Sequence, residues 1–415
     1  MSIFTRSATR GALRLLPMVF LAAPNAFTQS VLNTLAEKAG PAPSTLHTGA
    51  KYYVPATPET IRWGYLPNGS SEPILTVPSS SVVTFDTVSH EGLLEDQGRN
   101  PEKFFGQFGI SPAGVLRDAQ AIATSSLKHD FAQDGPHIVI GPVKVEGAEP
   151  GDLLKVEFLA FTPRVPYGVI SSRHGKGALP GEFPQTPNAE SGASASSPER
   201  YNNIFKFVSL RTVNGQLVCS MKKPDGTSIE FPAAPRLGTV GVAPNTSGSA
   251  TDKTNSIPPG DYGGNLDIPL LVAGSTLYLP VQVAGANFFV SDPHFAQGNG
   301  EVSLTSVEGS VRATMRLTVL KPGSPGYPSH KTLKSPFAET PEYWIPIGLD
   351  PDLNEAMKKA VRNAIDYLTV NHDMDPATAM AYLSAATDFN VSQVVDRTKG
   401  VHGLIRKKDF HTSLK

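Results

Sequence analysis

The chain has a single cysteine in 415 residues, Cys219, so no intrachain disulfide can brace it. It has two tryptophans, Trp63 and Trp344, far apart in sequence, which offers no obvious aromatic platform for a sugar ring. Neither sign of charge is in excess: the formal net charge is −1, and no basic tract is interleaved with aromatics, so nothing points to a nucleic-acid partner. Long apolar runs are missing as well. The run from Leu13 to Ala23 is broken by Pro17 and is too short to cross a bilayer comfortably. No later segment reaches membrane length.

That short run sits in a recognisable context. Arg6, Arg10 and Arg14 form a basic leader, Leu13 to Ala23 an apolar stretch, and Ala26 to Gln29 a small-residue cleavage zone. Residues 1–28 are therefore expected to be a signal peptide, and the mature protein to be secreted or periplasmic without a stable membrane span. Cys219 lies in a strand-like run and reads as a buried small apolar side chain rather than a catalytic thiol.

Proline and glycine are plentiful, 37 each, which favours short strands and structured loops over long helices. Residues 29–74 read as an N-terminal segment and linker, and 75–345 as a β-rich body. Strands are predicted around Val82–Phe85, Ile138–Val145, Leu153–Phe161, Phe205–Val213, Gln216–Met221, Thr276–Val283, Asn287–Val290, Val302–Val307 and Val311–Val319. Asn214-Gly215 between two of them is a hairpin signal. Residues 175–200 and 243–260 read as loops. Such regular strands suggest a mainly β fold with a β-sandwich or jelly-roll-like body. The chain changes character in 346–400. Asp350-Pro351 reads as a helix start, Leu353, Met357, Ala360, Val361, Ala364, Ile365 and Leu368 recur at helical spacing, and Asp375-Pro376 opens a second helix. These make the C-terminal part an α+β portion, its helical segment 346–400 packed on the body, followed by a basic tail, 401–415.

The densest chemistry lies in residues 258–301. Gly263-Gly264-Asn265 precedes Asp267, Asp292-Pro293-His294 puts an acid and an imidazole on a stiffened turn, and Gln297-Gly298-Asn299-Gly300 leads to Glu301. If the strands bring these turns together, carboxylates and imidazole converge in a way that suits a metal and its activated water. The stretch reads first as a catalytic site and second as a turn-rich scaffold. His137, at the mouth of a strand, is a further metal-ligand candidate, although a satisfied structural role is commoner for a lone histidine. Glu146 ends the same strand beside Gly147. Glu149 and Asp152 read as stabilising their own Pro-Gly turn.

In this order, the motifs Gly141-Pro142-Val143 through Asp152, Gly263-Gly264-Asn265-Leu266-Asp267, Gly274 to Val281, and Asp292 to Glu301 resemble the acetamidase/formamidase family. Ala356–Leu368 and Val391–Asp396 are similar to its C-terminal segment. The resemblance spans about residues 75–400. It implies a β-rich fold, hydrolysis of a small amide to carboxylate and ammonia, homo-oligomers, and a divalent metal, zinc ahead of calcium. The sequence departs from the family's pattern at Asp261-Tyr262, Ser89-His90-Glu91-Gly92 and Asn299, and in the Arg173–Gly177 loop.

Combining residues and resemblance, the expected site has His137, Asp267, Asp292 and His294 as metal ligands and Glu301 or Glu146 as proton carrier. Gly263, Gly264 and Asn265 are expected at the oxyanion, with His90 as an additional member or a surface residue. The expected activity is hydrolysis of a small linear amide. Two other readings stay open: an envelope β-sandwich that binds a small ligand or carbohydrate without catalysis, and a hydrolase of another bond, an ester or cyclic amide.

Overall fold

The computed structural model describes residues 28–33, 50–246, 253–329 and 331–410. The leader expected in residues 1–28 lies outside them except for its last residue. Among the described residues no helix is long and apolar enough to cross a membrane.

Strands dominate, and two sheets face each other. The larger has nine strands in the order Tyr52–Val54, Ser81–Asp86, Val311–Leu320, Leu153–Pro163, Thr276–Pro280, Phe337–Glu339, Tyr343–Asp350, Lys399–Arg406, Asp388–Gln393. The second has six: Gly263–Asn265, Arg236–Gly241, Phe288–His294, Ile138–Val145 and Ile61–Trp63 in sequence across the sheet, with Leu75–Val77 running parallel to Ile138–Val145. One hydrophobic core joins them. Val83, Phe85, Val156, Leu279 and Met315 from the first sheet cluster with Ile140, Val143, Val240, Phe288 and Val290 from the second. Phe85 meets Phe288 edge-on, with ring centroids 5.8 Å apart. This is the expected β-sandwich. A four-stranded sheet, Ser228–Pro232, Gln216–Lys222, Ile204–Val213 and Tyr167–Ser172, extends from it. Its hairpin turns at Asn214-Gly215, both with positive φ, as the tight turn requires. Cys219 is buried there, and burial pushes its thiol up to about 11, consistent with a packing role.

The helices behave as the spacing predicts, with one shift. Helix Leu353–Asn371 is capped by Asp352, whose side chain accepts from the Asn354 and Glu355 N–H groups, so its start lies two residues beyond Asp350. Helix Pro376–Ala386 is capped by Asp375. Ala356, Ala360 and Ala364 form a small-residue face on the first helix. A Cβ on Gly348 would lie only 2.1 Å from the Ala356 carbonyl oxygen, so this close approach of helix to sheet needs both partners small.

Four expectations fail. Val302–Val307 is irregular rather than a strand. Its polar side chains bond inward to the site, and a regular ladder cannot turn them there. The basic tail is, as far as Arg406, the strand Lys399–Arg406, paired on both edges. Its alternating buried residues Val401 and Ile405 were masked by the adjacent charges. The nine-stranded sheet also runs straight through the expected boundary at 345. Two short helices, Pro101–Gly106 and Arg117–Thr124, interrupt the region read as strands. The first had a visible signal: Asn100 caps it and Pro101 occupies its first turn.

Candidate active site

The site forms where the end of strand Phe288–His294 passes the start of strand Ile138–Val145. The Ser291 hydroxyl donates to the Ile138 carbonyl at 2.7 Å and locks this crossing. Asp292 therefore meets His137, with Oδ1 3.7 Å from Nε2. His90, from the segment after strand Ser81–Asp86, places Nδ1 3.9 Å from the same oxygen. His294 points Nε2 at Asp292 Oδ2 (3.0 Å) and at Glu308 Oε1 (3.1 Å). Its Nδ1 lies 3.7 Å from Asp267 Oδ1. Glu301 joins Asp267 and His294 in a group whose ligand atoms all lie within 4.8 Å of one another. His90, His137 and Asp292 form a second such group, and Asp292, His294 and Glu308 a third.

Backbone geometry supports this convergence. Asp267, Asp292 and Glu301 all have positive φ, 49°, 57° and 46°, a region that side chains rarely adopt and that concentrates at functional sites. Gly238, on strand Arg236–Gly241, supplies the room. A Cβ there would lie 2.4 Å from Asp267 Oδ1, 2.4 Å from Asp292 Oδ2 and 2.7 Å from His294 Cε1.

Surrounding bonds hold the members in place. Ser256 pairs with His137 Nδ1 at 2.9 Å. Gln297 donates to the Asp267 carbonyl oxygen at 2.9 Å, and the Ser306 hydroxyl donates to Glu301 at 2.6 Å. Glu91, next to His90, accepts from Ser171 (2.6 Å) and Gln97 and faces Arg173, which also pairs with Asp96 at 2.6 Å.

Charges in this buried space divide sharply. Burial opposes ionisation of Asp292, but the imidazoles of His294 and His137 outweigh it and hold the carboxyl below its usual range. Burial also opposes charging His294, and Asp292 and Glu308 overcome that, raising it well above an ordinary histidine. Burial alone dominates at His137, pushed down to about 4. Asp267 is pushed up to about 7 by burial and the Asp292 charge. Glu301 is raised well above the usual range by burial and Asp267, and Asp396 by burial, Asp267 and Glu301.

Of the residues predicted from sequence, the structure brings together His90, His137, Asp267, Asp292, His294 and Glu301. His90 is 3% exposed, which removes the surface alternative. Glu146 is not there. It is exposed, at the opposite end of the eight-residue strand that begins after His137, about 25 Å away along the chain direction. Nor do Gly263, Gly264 and Asn265 form an open cradle. The Gly263 N–H donates to the Gly260 carbonyl at 2.9 Å, and Gly264 lies against the Tyr262 ring. Asn265 accepts from Thr239 at 2.6 Å, and Thr239, adjacent to Gly238 on a strand, points to the opposite face from the carboxylates. Sequence reasoning missed Glu308, Glu91, Asp396 and Gly238. Ser89–Gly92 and Val391–Asp396 were visible as motifs, but neither Glu91 nor Asp396 could be assigned to the cluster by spacing. Among the departures from the family pattern, Asn299 is exposed, and Tyr262 bonds the Pro258 carbonyl, away from the cluster. His90 and Arg173 do bear on the site.

A mostly β sandwich with C-terminal helices around a buried imidazole–carboxylate cluster defines the class, and solved acetamidases share the fold. The acetamidase of Bacillus halodurans superposes with a TM-score of 0.64 at 23% identity, covering 86% of this chain and 98% of that one. The acetamidase of Yersinia enterocolitica gives 0.64 at 24%, covering 88% and 95%. In sequence, a formamidase of Methylophilus methylotrophus is 28% identical over 275 residues, 56% of this chain and 66% of that protein. An acetamidase of Mycolicibacterium smegmatis is 28% identical over 280 residues, 56% and 69%. Residues 228–405 match the model of the Acetamidase/Formamidase family.

Proposed function

We propose that the protein is an amidohydrolase that cleaves the carbon–nitrogen bond of a small linear amide to give carboxylate and ammonia. The observation that carries this reading is the buried cluster of His90, His137, Asp267, Asp292, His294, Glu301 and Glu308 in a fold shared with acetamidases. The relatives named formamidase and acetamidase support it.

The donor set fits a divalent cation. Both oxygens of Asp267, Nδ1 of His90 and Oε2 of Glu308 are buried without a hydrogen-bond partner. Leaving such atoms unpaired costs about 1–3 kcal/mol each, and a cation would satisfy several together. Mixed imidazole and carboxylate donors favour zinc over calcium, which prefers oxygen ligands throughout. His137, His90 and Asp292, with Asp267 and His294 beside them, would hold one such ion or two. Bound there, it would supply Lewis-acid polarisation of the amide carbonyl and a water of lowered pKa.

The chain's own groups handle the protons. An amide nitrogen leaves poorly unless protonated. Glu301, pushed upward by burial, retains its proton nearer neutrality than an ordinary carboxyl does and can pass it to the departing nitrogen.

The test is ammonia release from formamide, acetamide and larger amides by purified protein, before and after chelation, with Asp292→Asn alongside. Turnover that falls on chelation, returns with zinc and is lost in Asp292→Asn is expected. Ammonia from no amide with metal restored would refute the hydrolase reading, and chelator-insensitive turnover would refute the metal's part in it.

A further inference from the structure

Two of the segments that depart from the family's pattern, Ser89-His90-Glu91-Gly92 and the Arg173–Gly177 loop, meet in the structure. Arg173 Nη2 lies 3.7 Å from Glu91 Oε1. Glu91 is 1% exposed, and donors ring its carboxylate. The Ser171 hydroxyl donates to Oε1 at 2.6 Å, and the Gln97 side-chain amide donates to Oε2. Gln97 cannot turn its amide round without losing a bond, because its own Oε1 accepts from the Gly92 N–H at 2.7 Å. The backbone is pinned as well. The Ser89 N–H donates to the Ser310 hydroxyl at 3.0 Å, and the Glu91 N–H to the Ser89 hydroxyl at 3.2 Å.

This environment decides which nitrogen of His90 is free. His90 Nε2 lies 3.2 Å from Glu91 Oε1. A carboxylate ringed by donors only accepts, so Nε2 carries the proton. A neutral imidazole has one N–H, which leaves a lone pair on Nδ1. Nδ1 has no hydrogen-bond partner and faces Asp292 Oδ1 at 3.9 Å. From the other side His137 brings Nε2 to 3.7 Å from the same oxygen, while its Nδ1 is taken by the Ser256 hydroxyl at 2.9 Å. The two rings meet edge-on, with centroids 5.8 Å apart. They offer opposite nitrogens to one point.

We propose that Glu91 is a positioning residue that fixes His90 as an Nδ1 ligand of the divalent ion. The inference rests on the metal part of the function proposed above. Glu91 itself touches neither ion nor substrate; it acts through the tautomer and the orientation of His90. Removing a partner of this kind weakens metal binding by about 10- to 100-fold.

The experiment measures zinc affinity of the full chain by competition with a chromophoric chelator. It compares wild type, Glu91→Gln, His90→Asn and the double variant, with a melting temperature for each. Gln keeps the shape of Glu91 but turns an amide N–H against either His90 or Gln97. Glu91→Gln should weaken zinc binding by about 10- to 100-fold in the wild-type background. In the His90→Asn background it should cost no more than about twofold, because the residue it acts through is gone. Nitrogen NMR of isotope-labelled histidines in the zinc-loaded wild type, assigned with His90→Asn, should show the His90 proton on Nε2 and the ion on Nδ1. Wild-type zinc affinity in folded Glu91→Gln, equal losses in both backgrounds, or a His90 proton on Nδ1 would overturn the assignment and leave the hydrolase reading intact. The NMR result decides the matter even if Glu91→Gln fails to fold. A wild type that takes up no zinc would refute the metal reading, and this assignment with it.

Discussion

Gly238→Ala is the sharpest perturbation of the assembled site, because it adds one methyl group where Asp267, Asp292 and His294 meet. The new Cβ would lie 2.4 Å from each carboxylate oxygen, whereas ordinary van der Waals contact begins near 3.4 Å. The acids must therefore retreat by about 1 Å, a displacement that costs on the order of 100-fold in a positioned reaction. Asp267 and Asp292 cannot easily absorb it, since both already sit at positive φ and Asp292 is held by His294 at 3.0 Å. The fold has more room to adapt. Crowding of this kind costs typically about 1–3 kcal/mol, which leaves most domains folded. The assay combines ammonia release, zinc content after dialysis and thermal melting. Expected are a loss of turnover of about 100-fold or more and a clear drop in retained zinc, with a cooperative melt preserved. Wild-type turnover and zinc content in Gly238→Ala would show that the three side chains do not form one working cluster.

Metal-free protein should be less stable near neutrality than in mild acid. Asp267 rises from an ordinary 3.8 to about 7 on folding, with burial and Asp292 as causes, and Glu301 and Asp396 shift the same way. A carboxyl that binds its proton more tightly when folded loses stability as pH climbs from about 4 to about 7. Lowered His137 and His402 act in the opposite sense, but the three acids together with the raised His294 outweigh them, so chelated protein should melt lower at pH 7 than at pH 5, and zinc should remove the difference. A melting temperature that climbs over that interval in chelated protein would contradict the buried-acid picture. Glu146→Gln should leave turnover and melting near wild type, since the side chain is exposed and remote; a large loss of activity would return it to the site.

Much of the architecture was legible because strand and helix periodicities are local. Ile138–Val145 is buried along nearly its whole length and Val311–Leu320 buries six of its ten residues, so their apolar residues announce them. Helix Pro376–Ala386 is marked by its Asp375-Pro376 start. What local pattern could not reveal was the partner of each strand. Lys399–Arg406 looked like a charged tail because its burial depends on strands Tyr343–Asp350 and Asp388–Gln393 flanking it. Val302–Val307 has strand-like composition, yet its neighbours on the site draw it into an irregular path.

The same division runs through the site. The sequence by itself determined which residue types could do the chemistry; Asp267 and Glu301 lie outside strands as expected, whereas Asp292 and His294 end the strand Phe288–His294 rather than forming a turn. Only the tertiary structure decided which of these meet. His137 and Glu146 end the same strand and were equally eligible; strand direction puts one beside Asp292 and the other in solvent. Glu308, Glu91 and Asp396 reach the cluster from segments whose local pattern gives no hint of it, and Gly238 matters through the side chain it lacks. Convergence of distant segments is a property of sheet pairing and register, set by hydrogen bonds and burial summed over the whole core, so no local motif can encode it alone.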